Sequence, residues 1–542
     1  MQLPRRFFLA RFCVSALLTR LGAALCLVLL VLLSGFRPPH DTPLPVHAAA
    51  VRSAALPAAV SERLLAGIDA MYTMRFSDAL TLFDGVIAEH PSEPRAYFFR
   101  ASVFLWRYMF DYSQPDLKRF YAASERALMV AEALQKQYPN DMYPQTIIGA
   151  MYAFRALANF KAENFIKGVL DMRTSYNYLS DVVKRDPSQY DAYMGLGLFH
   201  FAMGALPKQV RTMANLVGMK GDCALGMQEI EIAATKSLFA ANDATMCLAM
   251  LHIYFNKDYT TGLRYLESML RKYPNNIPML YTRGNVQFFV KKLPFAIESY
   301  KTVVRLADTN FKTFTTFAHY RLGESYFRLN DFQQAKFHFQ RYFKAPYERS
   351  FRASSFLRLA MMYEIEGNRA EAEKGYRKAA DVGIWTEPED RYAIRKAKQL
   401  LQQTMSAAAV QLIKGANCVE AGKFQEAEQL LSPLVDQQAL PADIRAEAAY
   451  YLAEEARRDT KEGSLQQQLD KALTRYTQAI SINAQQEAWI QPLSYLRMAE
   501  IYHLLGQEQK AQACLQKTRV FSGYDFEEQV LFALERDISM LR

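Results

Sequence analysis

Residues 204–227, GALPKQVRTMANLVGMKGDCALGM, bring four glycines, a proline and three cationic side chains into 24 positions, the composition of a loop that cradles phosphate. A Walker loop needs G-x-x-x-x-G-K-[ST], because backbone N–H groups, a lysine and a metal-binding hydroxyl must converge on the phosphates. Gly218, Gly221 and Gly226 are followed by no Lys-Ser or Lys-Thr pair. A dinucleotide fingerprint needs a preceding strand, and the preceding YMGLGLFHFAMG reads as a helix. Helix grammar accounts for the segment instead. Pro207 fits a first helical turn, and Val210, Met213, Ala214 and Val217 recur at i, i+3, i+4 and i+7. Gly218 is then a left-handed stop and Asp222 a cap for the next helix, with Lys208, Arg211 and Lys220 facing solvent.

Other reactive residue types lack the spacing that chemistry requires. The eight histidines form no H-E-x-x-H and no pair at metal-ligand spacing, and no G-x-S-x-G nucleophile elbow occurs. His200, His252 and His319 fall on stretches that read as helices and are expected to pack. The carboxylates of EPED (387–390) and AEAEKGYRKAA (370–380) read as solvated helix surface. Six cysteines include no C-x-x-C. If 222–239 and 243–255 form an antiparallel pair, Cys223 and Cys247 are out of register by roughly 18 Å at about 1.5 Å per residue, beyond the disulfide limit of about 7 Å. The expectation is therefore no catalytic residue, no cofactor and no metal.

The elements that carry these residues repeat. In YRLGESYFRLNDFQQAKFHFQRYF (320–343), Leu322-Gly323, Tyr326, Ala335 and Phe339 follow the tetratricopeptide (TPR) pattern. A small residue, a second small residue twelve positions on and a large apolar residue four further recur as Gly67/Ala79/Phe83, Gly284/Ala296/Tyr300, Ala360/Ala372/Tyr376, Gly415/Ala427/Leu431 and Ala499/Ala511/Leu515, with Met250/Gly262/Leu266 as a looser copy. Small residues on facing helices let the two axes approach, and Pro91, Pro139, Pro187 and Pro274 each stop a second helix. Degenerate copies at 95–138, 142–186, 191–239 and 442–483 bring the total to about eleven. No alternating β-branched stretch argues for a sheet. The predicted fold is all-α, a TPR α-solenoid forming a right-handed superhelix of antiparallel helix pairs.

The expected organisation is a signal peptide or signal anchor at 1–50, an N-terminal TPR array at 58–383 with a helical insertion at 205–221, a joining helix at 384–404, a C-terminal array at 405–525 and a capping helix at 526–542. Arg5, Arg6, Arg11 and Arg20 precede an uncharged apolar run from Leu21 to Phe36, and small residues follow at Ala48 and Ala50. Cleavage there releases an exported protein, periplasmic or envelope-associated. Retention leaves one membrane anchor through residues 21–36, a run of 16 against the roughly 20 of a full span. The net charge of +10 includes five Arg and one Asp in the first 50 residues, so the remainder demands no nucleic-acid partner.

First helices of TPR repeats line a concave groove, and the resemblance to TPR proteins implies that Tyr254, Tyr281, Asn285, Phe288, Tyr320, Glu324, Phe327 and Arg328 approach it. Aromatic anchors with a few polar groups suit an extended peptide or a partner helix; the competing expectation is that the rings fill space between helices. More specifically, Leu206-Pro207, Val210, Val217-Gly218, Gly221-Asp222 and Gly226, with Gly195 and Gly197 before them and LRKYPNN after, resemble the tetratricopeptide repeat protein 39 and inclusion-body clearance protein family over about residues 65–345. That resemblance implies a non-enzymatic adaptor; the export signal is a departure from it. The leading expectation is an exported scaffold that binds a protein or peptide partner in its groove, in envelope assembly. The alternatives are an enzyme with an atypical site near 205–222 and a membrane-tethered structural protein of the envelope.

Overall fold

The computed structural model describes residues 57–540, apart from 207, 217, 308–310, 346–349, 384–386 and 460–463. The N-terminal segment, Pro207 and Val217 therefore lie outside the described residues. Every regular element among those described is a helix, and none is long and apolar enough to cross a membrane. In chain order they are α1 (Ala58–Tyr72), α2 (Phe76–Glu89), α3 (Pro94–Asp111), α4 (Gln114–Gln137), α5 (Met142–Lys161), α6 (Phe165–Arg185), α7 (Ala192–Gly204), α8 (Lys208–Leu216), α9 (Cys223–Lys236), α10 (Ala241–Met250), α11 (Tyr259–Lys272), α12 (Ile277–Phe289) and α13 (Leu293–Leu306). Then come α14 (Lys312–Arg328), α15 (Phe332–Tyr342), α16 (Arg352–Ile365), α17 (Arg369–Ala380), α18 (Pro388–Gln402), α19 (Ala407–Ala421), α20 (Phe424–Asp436), α21 (Ala442–Arg458), α22 (Leu465–Ser481), α23 (Ile490–Leu504), α24 (Glu508–Thr518) and α25 (Glu527–Met540). Setting α8, α18 and α25 aside leaves eleven consecutive pairs, the helix–turn–helix grammar of a TPR solenoid.

The pairs close as the spacing predicts, with one refinement. A methyl group on Gly67 would lie 2.3 Å from the Phe83 ring, and on Gly323 2.8 Å from that of Phe339. On Gly415 it would lie 2.6 Å from Leu431. The small residue of the first helix thus receives the large side chain sixteen positions later in its own pair, rather than the small residue at twelve. α2, α4, α6 and α11 each end two residues before Pro91, Pro139, Pro187 and Pro274, where the chain must leave helical geometry. Asp331 and Asp222 cap α15 and α9, accepting from the N–H groups of Gln334 at 3.1 Å and Leu225 at 2.9 Å.

The looser copy has a structural cause. After α10 the backbone runs as a π-helix over Leu251–Asn256, which carries one residue more than an α-turn. The small residue facing the second helix is then Ala249, fully buried, thirteen positions before Gly262 instead of twelve. The Ala249 carbonyl oxygen is 3.2 Å from where a Gly262 methyl would sit.

Packing divides the described residues into two compact units, from 57 to 286 with 305–314, and 287–304 with 315 onward to 540. A joining helix is expected at 384–404, but α18 buries Ala393, Ala397 and Leu400 with Leu357 and Tyr376 of α16 and α17. It is packed inside the second unit. At the end of that unit α25 buries Val530 and Leu534 in the core that includes Tyr476 and Trp489.

In the first unit the glycine-rich segment does not behave as a set of stops. Only Gly218 takes a left-handed φ, at +80°. A methyl on Gly226 would lie 2.5 Å from the Phe201 nitrogen and 2.6 Å from the Gly197 oxygen, and one on Gly204 would lie 2.5 Å from the Cys223 nitrogen. α7 and α9 therefore touch backbone to backbone. α8 lies over Val169, Phe199 and Met203, burying Ala214 among them. The expected apolar stripe is only partly buried, since Met213 is 38% exposed. Lys220 is exposed as expected. Arg211 instead donates to the Gly204 carbonyl at 2.9 Å.

Candidate functional site

In the first unit side chains of α1 and α10 meet Tyr273, the residue that caps the end of α11. Tyr72 of α1 stacks on Tyr273, with ring centres 5.0 Å apart. Their hydroxyls donate to Asp243 and Asp69, respectively, in short hydrogen bonds. Asn242 donates to the Tyr273 hydroxyl at 2.8 Å, and Asn276 to the Tyr72 carbonyl at 2.8 Å. Burial raises Asp243 to about 6 against the opposing Tyr72 hydrogen bond. Tyr281 belongs to an aromatic chain in the same unit: its ring meets Phe314 edge-on at 5.6 Å, and Phe314 meets Phe110 at 5.8 Å. Asn285 is buried, and Tyr254 is half-buried within the π-helix.

The second unit presents a different inner surface. Glu420, near the end of α19, accepts from Lys291 in a short bond and from Arg328 at 2.5 Å, with Arg458 at 3.8 Å. Glu324 faces Arg358 at 3.6 Å and Arg328 at 3.8 Å. Burial alone would raise Glu420, but Arg328, Lys291 and Arg458 outweigh it and hold the carboxyl at about 2. Lys291 is lowered to about 8 by burial and by the crowding of Arg328 and Arg458.

Beside this cluster stand Tyr392 of α18 and Glu447 and Tyr451 of α21, which lie within electrostatic reach of one another; Arg358 reaches both tyrosines. Water touches all three, since each is only partly buried. Yet surrounding protein raises both phenols, and burial with the nearby Glu487 lifts Glu447 to about 7. Side chains that are wetted and also strongly desolvated line a recessed wall, not a convex surface. Further along, Glu487 accepts from Arg395 at 2.6 Å and Lys396 at 2.7 Å, and Asp525 from Arg395 at 2.7 Å.

Of the eight residues marked for the groove, Glu324 and Arg328 belong to this charged wall. Phe288 and Phe327 lie directly beneath it: the Arg328 guanidinium is 4.3 Å from the Phe288 ring centre and that of Arg358 is 4.6 Å from Phe327. These rings are 3% and 1% exposed, so they support cations. Tyr320, also buried, stacks on Phe351 at 4.4 Å. Sequence reasoning missed Lys291, Arg358, Glu420 and Arg458. One signal was present: Arg328 and Glu420, which pair, each stand five residues after the glycine of their repeat, Gly323 and Gly415.

The three histidines singled out from the sequence pack against neighbours, His252 stacking on Tyr265 at 5.8 Å. His200 Nδ1 is 2.6 Å from Glu229. The Nδ1 atoms of His319 and His338 face each other at 3.0 Å, and burial lowers both groups to about 4. Cys223, Cys247, Cys418 and Cys514 are all free thiols.

Comparison with known proteins agrees with the repeat grammar. Tetratricopeptide repeat profiles match residues 64–106 and 493–517. The tetratricopeptide repeat protein ttc-39B of Caenorhabditis elegans is 29% identical over 189 residues, 32% of this chain and 32% of that protein, so the chain spans about a third of the length of this curated relative. Among solved structures, yeast Tom70 is similar at 14% identity and a TM-score of 0.29, covering 84% of this chain and 88% of that one. The C-terminal part of a TPR repeat-containing protein from Cytophaga hutchinsonii gives 14% and 0.28, covering 53% and 96%. The profile described as Iml2/Tetratricopeptide repeat protein 39 matches residues 118–421, more than half of the chain; the α7–α9 glycine contact and the repeats on either side of it lie within this match, and the chain belongs to that family.

Proposed function

We propose that this chain is an exported, non-enzymatic TPR scaffold that binds a protein or peptide partner along the recessed wall of its second unit, in the periplasm or at an envelope membrane, and serves envelope assembly there. TPR arrays act as interaction scaffolds because stacked helix pairs hold a long surface rigid before a partner arrives. The observation that carries the reading is the recessed wall itself: Arg358, Tyr392, Glu447 and Tyr451 are wetted but desolvated, side chains from three separate helices on one surface. Export rests on the Arg-rich, acid-free start and the apolar run that follows it. Asp222, the residue at the heart of the enzymatic alternative, is engaged as a helix cap.

The test is site-specific photo-cross-linking in the native host. A photoreactive phenylalanine at Tyr392 or Tyr451 is expected to capture a discrete partner, while the same group at Phe295 of α13 or Leu504 of α23, 64% and 74% exposed and on helices that supply no residue of the wall, captures none of it. Equal capture from both sets would overturn the assignment of the wall. Sequencing the N-terminus of the natural protein tests export: a start near residue 49 or 51 is expected, and an intact Met1 would replace release with tethering through residues 21–36.

A further inference from the structure

We infer that the recessed wall of the second unit takes an acidic segment of polypeptide, bound through Lys291, Arg328, Arg358 and Arg458 with Tyr392 and Tyr451 beside them. The inference rests on the scaffold reading and adds the chemistry of the partner. It begins from a count of charges: four cations share two carboxylates, Glu324 and Glu420. The cluster is therefore left with a surplus of about two positive charges, which Glu447 beside Tyr392 and Tyr451 brings nearer to one when ionised, in a recess where water screens poorly.

Part of that surplus is offset locally. Arg328 and Arg458 end α14 and α21, and Lys291 follows the end of α12, so the partial negative charge of helix C-termini favours all three. Arg458 also donates to the Val419 carbonyl at 2.9 Å. Arg358 has no such compensation. It lies in the middle of α16, its nearest carboxylate contact is 3.6 Å, and 30% of its side chain meets solvent above the Phe327 ring. A guanidinium fixed by an aromatic floor and partly open to solvent is prepared for a carboxylate.

Two features favour polypeptide over a nucleic acid or a free polyanion. Lys291, Arg328 and Arg458 converge on Glu420, which already fills the place a phosphate would take, and Arg358 adds a further cation from α16, so the complement is a string of separated charges. Carboxylates intervene between the cations, Glu324 between Arg328 and Arg358, and Glu420 between Arg328 and Arg458; a continuous phosphate backbone would be repelled at each of them, while a chain that alternates acidic and neutral residues meets cations and passes the carboxylates. The phenolic hydroxyls of Tyr392 and Tyr451 stand at the same wall, available to the backbone of an extended peptide.

The test uses the full chain and fluorescence anisotropy with labelled decaglutamate, decalysine, a neutral Gly-Ser decapeptide and decathymidylate. Decaglutamate is expected to bind, and more weakly as salt rises. Arg358→Gln is expected to weaken it by about tenfold and Arg358→Gln/Arg458→Gln further, whereas Arg358→Lys should hold it within about threefold. Arg377→Gln, on the outward helix α17 with a side chain 68% exposed, should leave it unchanged. Decaglutamate that fails to bind, binds unaffected by the Arg358 and Arg458 changes, or binds no better than decalysine or decathymidylate overturns the inference. The same peptide added to the photo-cross-linking reaction separates the two readings. Loss of the Tyr451 cross-links in its presence is expected; cross-links that persist undiminished sink the acidic-segment inference and leave the scaffold standing, and the absence of wall-specific cross-links even without the peptide removes the scaffold reading as well.

Discussion

The two units use the polar side chains that meet between their helix pairs in opposite ways. In the first unit the polar groups are tied to one another: Tyr72 and Tyr273 stack, and each spends its hydroxyl on a carboxylate from a helix far away in sequence, Asp243 for one and Asp69 for the other. In the second the wall stays wet and charged, with four cations around Glu420 and Glu324 and neutral tyrosines at its edge. Hydroxyls and carboxylates that engage each other, with Lys272 also 3.3 Å from Asp69, leave little for a ligand. Cations outnumbering their carboxylates leave an attraction that only a partner can use.

Breaking the charged wall at its centre should have the largest effect. Glu420→Gln removes the carboxylate that Lys291, Arg328 and Arg458 share, at a cost on the order of 3 kcal/mol, because like charges are then left facing one another in a recess. The loss is expected in thermal unfolding at neutral pH. The sign with pH follows from the depressed carboxyl: its contribution is complete above the ordinary glutamate value of 4.5 and disappears as pH falls through about 2. Wild type and variant should therefore converge in acid, and a gap that stays constant would show that Glu420 does not hold the cluster together.

In the first unit the largest response should come from Gly226→Ala, which places a methyl against backbone atoms of α7 that cannot yield; about 1–3 kcal/mol is expected. Gly218→Ala, with φ of +80° but nothing within 4 Å, should cost only about 1 kcal/mol, from backbone strain. Equal losses at the two positions would remove the distinction between contact glycines and a stop glycine.

Tyr273→Phe unties the hydroxyl that donates to Asp69 and accepts from Asn242, and about 1–2 kcal/mol should follow. Hydrogen exchange should quicken in α1 and α11 and not in α19. The smallest effect concerns the His319–His338 contact. Both groups are held neutral down to about pH 4 against an unfolded value of 6.5, so the unfolded chain takes up more protons between those values and stability falls as pH drops through that window. His338→Gln should flatten that slope, which a set of melts from pH 4 to 7 would reveal.

Much of the fold was legible because it is written at short range. Gly323 and Phe339, or Gly67 and Phe83, are partners sixteen residues apart, and a repeated spacing exposes them without any coordinates. The charged wall was legible only at Glu324 and Arg328, because its other members come from helices separated by up to some 170 residues and the register that aligns them is set by packing. The aromatic positions were found for a sound reason, their place on first helices, but their role turns on depth. Phe288 and Phe327 lie one layer below the surface, and depth on a helix that packs on both sides is not carried by a single period. The glycines of 204–227 misled in the same direction. A glycine that permits contact and one that ends a helix look alike until the opposing backbone is known.

The π-helix at Leu251–Asn256 has a consequence for how such arrays change over time. One added residue in a helix rotates everything after it by about 100° and would ordinarily turn a buried stripe to solvent. Here the extra residue is absorbed as a wider turn, so α11 still meets Ala249 and Ile253 through Gly262. Such a turn acts as an expansion joint: a solenoid that carries one can gain or shed a residue within a repeat without losing phase in the repeats on either side.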